Sequence, residues 1–390
     1  MDNKNDNVME FSYELYKESV EPLIRYKGLR SLHLIIGHPP FVRNSDGGFE
    51  PLSLEMEDDA GHTHTFCFQK ITGQWFHNFL NLMFMEYFGL ETEDAEETLK
   101  LYLTGERTQQ IFRLDSGTLI YLRMDAGFTG SGMVLTAVPV FEPKLSLPSK
   151  IVSLGELLPG LVLFTGCYGS DRAYTMYSLL LAILRESPKK VSIVEQVPRY
   201  NIDFVKDSLV MRRIAFHPKT TYFSELLRAL TTDVDIICLD DISDPKAFEA
   251  ALKACASGKT VFGMLGASSI QEALDSILLQ YEPSKREMIR YQLSVAIRAI
   301  IYQQKVPTTP QVEEAMVPAF ESVSGDSLRK FIAGYEPGSS DAVGFINSVP
   351  DDSLSFEQSL AEMLSNGIID EKTVQIFSRT TAGDSPAKGA

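Results

Sequence analysis

The stretch GLVLFTGCYGSDRAYTMYSLLLAIL, at residues 160–184, constrains the fold more than any other part of the sequence. An apolar run from Leu161 to Phe164 leads into a short turn that contains Gly166 and Gly169. Beyond the turn, apolar residues recur at helical spacing, at Met176, Leu179, Leu180 and Ile183. A buried strand, a tight turn and a helix in this order predict one unit of a parallel α/β sheet.

The turn has the layout of a phosphate-binding loop, but it lacks most of the side chains that such a loop uses. Of the consensus G-x-x-x-x-G-K-[ST], only Gly166 is present. Asp171 stands at the second glycine, Arg172 at the lysine and Ala173 at the hydroxyl residue that binds Mg²⁺. Two interpretations stay open: a structural loop in which Asp171 and Arg172 neutralise each other, and a loop that still binds a nucleotide weakly. The candidate nucleotide-binding residues of the loop are Gly166, Gly169, Ser170 and Arg172.

The second half of the chain alternates short apolar runs with amphipathic segments, which predicts a parallel sheet with helices on both faces. Strands are expected at 160–164, 191–195, 234–239 and 260–265. Helices are expected between them, at 174–186, 224–230 and 245–256. Three further helices are expected at 283–304, 353–366 and 371–377.

The first half predicts a small α+β domain over residues 1–142. Its expected helices lie at 10–27, 74–88 and 91–103. Its expected strands lie at 31–37, 111–114, 118–124 and 132–139, with a hairpin that turns at residues 46–48. Residues 143–159 contain prolines and glycines and are interpreted as a linker to the second domain, which covers 160–378. The polar tail at 379–390 is expected to be disordered.

Composition excludes several classes of function. The net charge of −16 argues against nucleic acid as a main ligand. The N-terminus has no apolar signal region, and no stretch reaches the roughly 18 apolar residues of a membrane span, so a cytoplasmic protein without a transmembrane segment is expected. His62, His64, Cys67 and His77 lack the spacing of a tetrahedral site, and no metal site is predicted from them.

The order of the motifs carries a resemblance to a known family. After the loop come VSIVEQVPRY, VDIICLDDISD, GKTVFGMLGASS and FEQSLAEMLSNGIID, and the first half contains SLHLIIGHPPFVR. This order resembles the PilT branch of the type II/type IV secretion ATPase superfamily, the hexameric retraction motors of type IV pili, over nearly the whole chain. The resemblance implies an N-terminal PAS-like domain and a C-terminal RecA-like P-loop NTPase domain with a helical C-terminal region.

The resemblance also implies roles for particular residues. Glu195 matches the family's glutamate that activates water, although Gln196 replaces the aspartate after it. Asp241 replaces a glutamate of the Walker B region and could bind Mg²⁺ through water. Lys259 and Gly266 stand where the family has two histidines, the second of which senses the γ-phosphate.

The substitutions extend to the N-terminal domain. Thr129 and Thr136 stand where the family has two arginines that reach the nucleotide, while Arg123 matches a family arginine. The favoured hypothesis is a pseudo-ATPase, with no cofactor or weakly bound ATP and Mg²⁺. It would form a homo- or hetero-hexamer with a PilT- or PilB-like ATPase and reach the inner membrane through a pilus or secretion platform protein.

Two alternatives stay open. A divergent but active motor would use Glu195 as its base, with Arg172 in place of the lysine. A scaffold or signalling module without a motor role would bind partners through its N-terminal domain.

Overall fold

The structure, a computed structural model, separates the chain into two compact units. Unit 1 comprises Met1–Phe141, Val197–Asn201 and Ile214–Thr221, and unit 2 comprises Glu142–Gln196, Ile202–Arg213 and Tyr222–Ala390. The residues that the structure describes are 8–21, 29–44, 48–57, 62–105, 108–114, 118–127, 130–143, 147–202, 207–214, 221–312, 315–338, 340–349 and 351–378.

Among its described residues, unit 1 is built from two principal helices and strands that pair mostly antiparallel, although β1 and β6 pair in parallel. Its strands are β1 (Val8–Met9), β2 (Leu29–Ile35), β3 (Phe41–Asn44), β4 (Phe49–Pro51), β5 (Ser53–Glu57), β6 (Thr63–Phe68), β7 (Gln109–Arg113), β8 (Leu119–Gly127) and β9 (Gly130–Val138). Its helices are α1 (Tyr13–Leu15), which a π-helical turn continues over Tyr16–Val20, then α2 (Gly73–Phe88) and α3 (Thr92–Leu103). One sheet has the order β4-β3-β2-β9-β8-β7 and a smaller one the order β1-β6-β5.

Unit 2 contains one large sheet and ten helices among its described residues. Its strands are β10 (Leu161–Gly166), β11 (Lys190–Glu195), β12 (Leu209–Ile214), β13 (Ile236–Leu239), β14 (Thr260–Gly266), β15 (Ile297–Pro307), β16 (Met316–Ser324) and β17 (Ser353–Leu354). Its helices are α4 (Ser149–Val152), α5 (Arg172–Glu186), α6 (Tyr222–Thr231), α7 (Pro245–Ala256), α8 (Ile270–Leu279), α9 (Pro283–Ala296), α10 (Gly325–Ala333), α11 (Ala342–Ser348), α12 (Phe356–Ser365) and α13 (Glu371–Phe377). The strand order is β12-β11-β13-β14-β10-β15-β16-β17.

Strand β10 lies inside this sheet, and its composition explains its place. It pairs in parallel with β14 on one side and with β15 on the other. Every residue of β10 is buried, which is why the strand is apolar on both faces. The helix after it, α5, is also buried on most of its surface, including Met176, Tyr177 and Leu180. The strand, turn and helix predicted from the sequence are therefore all present.

The predicted helix at residues 283–304 is wrong beyond Ala296. Helix α9 ends there, and the chain continues as β15, which also pairs antiparallel with β16. Ile297, Ile300 and Ile301 are fully buried because both faces of this strand are covered. A short run of buried isoleucines is compatible with a helix or with an interior strand, and periodicity alone does not separate the two. Strands β12, β16 and β17 were not predicted either.

Two further boundaries differ from the sequence-based prediction. Within the predicted linker, α4 and a 3₁₀ turn at Ser153–Leu157 form, and Ile151 and Leu154 are buried. The helix predicted to start at residue 353 starts at Phe356, because Ser355 and Gln358 form a capping box. Residues 22–28, 45–47 and 379–390, on which a helix end, a hairpin turn and a tail were predicted, lie outside the described residues.

In the described ranges, no helix combines the length and the apolar composition needed to cross a bilayer.

Burial of β15 on both faces generates a stability prediction. We expect Ile300→Ala and Ile301→Ala each to lower the free energy of unfolding by about 3 kcal/mol, because each leaves a cavity in a closed core. Met288→Ala, at an exposed position of α9, serves as the control and should change it by less than about 0.5 kcal/mol. Denaturant unfolding measures all three. A loss confined to one isoleucine would mean that one face of the segment is open to solvent.

Candidate functional site

The loop between β10 and α5 is tightly folded around Gly166. This residue has φ 155°, and a Cβ atom on it would lie 2.5 Å from the carbonyl oxygen of Gln303 and 2.5 Å from Oγ of Ser170. The Ser170 amide donates to the carbonyl of Cys167 at 3.1 Å, which closes the turn. Glycine is therefore required at position 166 for steric reasons, whether or not the loop binds a phosphate.

Asp171 takes up the left-handed conformation at the start of α5, with φ 62° and ψ 44°. The backbone thus keeps a shape that suits glycine, although the glycine of the consensus is missing. The Asp171 carboxylate forms an ion pair with Nζ of Lys305 at 3.6 Å, and each side chain is 32% exposed. The charge of Asp171 is therefore balanced by a residue of β15 that the sequence analysis did not identify, and screening by solvent keeps this pair weak.

Arg172 points back to the end of β10. Its guanidinium donates a hydrogen bond to the carbonyl of Gly166. It also lies 3.7 Å from the position that a Cβ atom on Gly266 would occupy. Gly166 and Gly266 are register partners at the ends of β10 and β14, so Arg172 fills the space above both strands. A side chain at position 266 would begin in van der Waals contact with this guanidinium.

Strand β15 supports the loop through two side chains. Nε2 of Gln303 donates to the carbonyl of Ser170 at 2.7 Å, and Lys305 forms the ion pair with Asp171. Because side chains alternate along a strand, residues 303 and 305 project from the same face of β15. The sequence analysis missed both residues because it assigned most of this segment to a helix.

Glu195 is the last residue of β11, and its side chain is almost completely buried, at 1% exposure. The Tyr177 hydroxyl of α5 donates to Oε1, and the Arg212 guanidinium of β12 donates to Oε2. Burial raises the pKa of Tyr177 well above its ordinary value, so this hydroxyl remains a donor. Both carboxylate oxygens of the predicted catalytic residue are therefore engaged by protein groups. Sequence reasoning missed Tyr177 and Arg212, since neither belongs to a motif.

The two aspartates after β13 are held by local hydrogen bonds. Oδ2 of Asp240 accepts from the Gln196 amide at 2.7 Å, and Oδ1 of Asp241 accepts from the Ser243 amide at 2.9 Å. Burial raises the pKa of Tyr222, whose hydroxyl is hydrogen-bonded to Asp240 and accepts from the Asp241 amide at 3.3 Å. These bonds order the strand end without any bound cation.

The oxygen ligands available at this site do not match those that bind Mg²⁺ at a phosphate loop. Ala173 supplies no hydroxyl next to the loop, and Oδ1 of Asp241 already accepts a backbone hydrogen bond. Across the described ranges, no cluster of three or more His, Cys, Asp or Glu side chains is arranged to hold a metal ion.

The structure brings most of the predicted site residues of unit 2 to one edge of the sheet. Four of them lie at or just after the carboxyl ends of β10, β11, β13 and β14, which are respectively the loop, Glu195, Asp241 and Gly266. This is the edge at which open α/β sheets bind ligands. Lys259 lies at the other end of β14, where its ammonium donates to the carbonyls of Thr232 and Val234. Lys259 therefore has a structural role in place of a histidine.

The arginine and threonine positions of the first half belong to unit 1. Arg123 is an exposed residue of β8, and Thr136 is a half-buried residue of β9. Thr129 lies outside the described residues.

Unit 2 has an interior parallel strand, a glycine turn and a helix that begins at the carboxyl edge of the sheet, an arrangement that is also found in phosphate-loop α/β proteins. Residues 151–333, somewhat less than half of the chain, match the family described as Type II/IV secretion system protein. Over these residues the chain is similar to PilT-like proteins of this family.

Similarity to characterised relatives is moderate. The twitching motility protein of Neisseria gonorrhoeae is 28% identical over 205 residues, which cover 50% of this chain and 54% of that protein. The type IV pilus retractation ATPase PilT of Pseudomonas aeruginosa is 31% identical over 206 residues, with 47% and 58% covered. The chain thus aligns with little more than half the length of each of these two relatives.

Two solved structures share the fold over almost the whole chain. The pilus retraction motor PilT with bound ADP superimposes with a TM-score of 0.70 at 22% identity, covering 95% of this chain and 98% of that one. The ATPase DotB of Legionella pneumophila gives a TM-score of 0.70 at 17% identity, also covering 95% and 98%. At these identities the comparison supports the α/β fold.

The backbone at Asp171 generates one prediction. We expect Asp171→Ala to lower the free energy of unfolding by about 1 kcal/mol, because alanine is strained in the left-handed region. Asp171→Gly should stay within about 0.5 kcal/mol of the wild type, since glycine accepts this conformation and the ion pair with Lys305 is weak. Chemical denaturation compares the two. Equal losses in both variants would show that the carboxylate matters more than the backbone.

The buried cluster of Tyr177, Glu195 and Arg212 leads to a second prediction about this site. Glu195→Gln should lower the free energy of unfolding by about 3 kcal/mol, because it deprives the largely buried guanidinium of its anionic partner. Asp326→Asn, which breaks an exposed ion pair with Arg329, is the matched control and should cost less than about 0.5 kcal/mol. Unchanged stability in Glu195→Gln would mean that Glu195 has no structural role.

Proposed function

We propose that this chain is a pseudo-ATPase of the PilT type, which assembles with or regulates a pilus or secretion motor and hydrolyses little or no ATP. In this proposal unit 2 is a RecA-like domain that has kept its fold and lost its phosphate chemistry. Unit 1 is the PAS-like domain that the sequence resemblance implies.

The engagement of Glu195 is the observation that carries the proposal. A general base must be within hydrogen-bonding reach of the water that it activates, so water needs access to one of its oxygens. Here Tyr177 and Arg212 occupy both oxygens of a carboxylate that is 1% exposed. Displacing a donor by water would take this hydrogen bond from the buried Tyr177 hydroxyl or from the largely buried Arg212 guanidinium, which is costly. Glu195 therefore acts as a structural anion that joins α5, β11 and β12.

The loop supports the same conclusion independently. In a working phosphate loop, backbone amides surround the phosphates and a cation projects toward them. Arg172 instead donates to the carbonyl of Gly166, and Asp171 brings a negative charge to the N-cap position of α5. A phosphate would have to displace the arginine and approach the carboxylate, and each step weakens binding.

The printed names of the relatives support a pilus system as the setting. They describe a twitching motility protein and a type IV pilus retractation ATPase. We therefore propose a cytoplasmic homo- or hetero-hexamer with a PilT- or PilB-like ATPase, placed at the inner membrane through a platform protein. Because this proposal concerns assembly with an active motor, it requires no turnover by the chain itself.

The competing function, an active divergent motor, has one observation in its favour. Two cations, Arg172 and Lys305, remain at the loop. For catalysis, Arg172 would have to leave the Gly166 carbonyl and Glu195 would have to release a donor. The two functions therefore predict opposite responses to the loss of Arg172.

We expect purified wild-type protein to show no saturable ATP binding at millimolar nucleotide and no Mg²⁺-dependent phosphate release. Arg172→Ala should be indistinguishable from it in both assays, because the arginine binds the protein's own backbone. The triple variant Asp171→Gly, Arg172→Lys, Ala173→Ser should also stay inactive, since Glu195 remains engaged. Calorimetry and a coupled phosphate assay make the measurements.

Two outcomes would contradict the proposal. Turnover in the wild type that disappears in Arg172→Ala would identify an active motor. Robust turnover in the triple variant would show that the loop alone had disabled the site and that Glu195 is available to water.

A further inference from the structure

A groove of about 520 Å³ opens on unit 2 between α7 and α9. One end of it lies at Gly160, immediately before β10, and Leu252, Cys255 and Ile289 form part of its wall. Along β10, Gly160 and Gly166 are six residues apart, which corresponds to roughly 20 Å in an extended strand. The groove is therefore distant from the candidate nucleotide site.

One wall of the groove is a row of exposed apolar side chains on α9. Met288, Tyr291 and Val295 follow one another at helical spacing and are 52%, 68% and 47% exposed. Residues at i, i+3 and i+7 lie on one face of a helix, so the three side chains form a continuous ridge. A large tyrosine at the centre of an exposed apolar ridge is typical of a protein-binding surface.

The rim of the groove is positively charged, although the chain carries a net charge of −16. Lys253 and Arg298 line it, together with a single carboxylate, Glu249. Lys246 and Lys285 lie one helical turn before Glu249 and Met288 and therefore on the same faces of α7 and α9.

These cations are available to a partner. None of Lys246, Lys253, Lys285 and Arg298 forms an ion pair with a carboxylate in the described part of the chain. Arg298 donates to the carbonyls of Val295, Ala296 and Ile297, which anchors its guanidinium at the end of α9. The three lysines are exposed and make no ion pair in the described part of the chain.

We propose that the groove binds an amphipathic helix of a partner protein, with an apolar ridge and acidic flanks. Two helical walls with an apolar lining suit the apolar face of a third helix, and the lysines suit its glutamates and aspartates. A flat bilayer surface would reach the rim and leave the concave floor unfilled. Occupation of the groove leaves the loop edge of the sheet free, so this partner binds regardless of nucleotide.

The test uses the full chain and a fluorescein-labelled synthetic peptide of about 18 residues, with leucines at i, i+3 and i+7 and glutamates on the flanks. A second peptide has lysines in place of the glutamates. Fluorescence anisotropy should give micromolar binding of the acidic peptide and much weaker binding of the basic one. Affinity for the acidic peptide should fall as salt is raised.

Substitutions at two exposed positions test whether the peptide binds in the groove. Tyr291→Ala should weaken binding of the acidic peptide on the order of tenfold. Lys253→Glu should weaken it to a similar extent and improve binding of the basic peptide. The matched controls lie on α13: Ile376→Ala removes an exposed apolar side chain and Lys372→Glu reverses an exposed charge. Both controls should bind like the wild type.

Three results would overturn the proposal. The first is equal binding of the two peptides, or no effect of Tyr291→Ala and Lys253→Glu. The second is self-association in sedimentation equilibrium that Tyr291→Ala abolishes, which would assign the groove to a second copy of the chain. The third is binding to phosphatidylglycerol vesicles that Lys253→Glu abolishes and the acidic peptide does not compete with, which would assign it to a membrane surface.

Discussion

The pairing of β10 with β14 on one side and β15 on the other is the constraint on which the candidate site depends. It places Gly166 opposite Gly266 and brings Gln303 and Lys305 of β15 to the loop. The loop is therefore held in place by contacts with its neighbouring strands. Residues 171–173 lack the glycine, lysine and hydroxyl of the phosphate-loop consensus, and these contacts order the loop with the side chains that are present.

Burial of charge decides what Glu195 can do. A carboxylate in the interior must be neutralised or paired, and Arg212 and Tyr177 provide a charged and a neutral donor. These bonds make the residue compatible with the core and are the basis of the proposal that Glu195 is a structural anion.

The sequence predicted the parts of the site that depend on local order along the chain. The run before Gly166 predicted β10, and the apolar spacing after it predicted α5. The partners of the site come from distant positions instead: Lys305 lies on β15 and Arg212 on an edge strand, β12. Nothing in the local pattern of Ile297–Pro307 separates a strand from the end of a helix, because the choice depends on pairing with β10 and β16.

Hydrogen exchange with and without millimolar Mg-ATP tests most directly whether the site has become a structural element. We expect the same protection from exchange in both conditions for amides of the loop and of the carboxyl ends of β11 and β13, because the protein's own side chains already hold them. Protection of the loop amides by ATP, together with faster exchange near Glu195 as its donors are displaced, would contradict it.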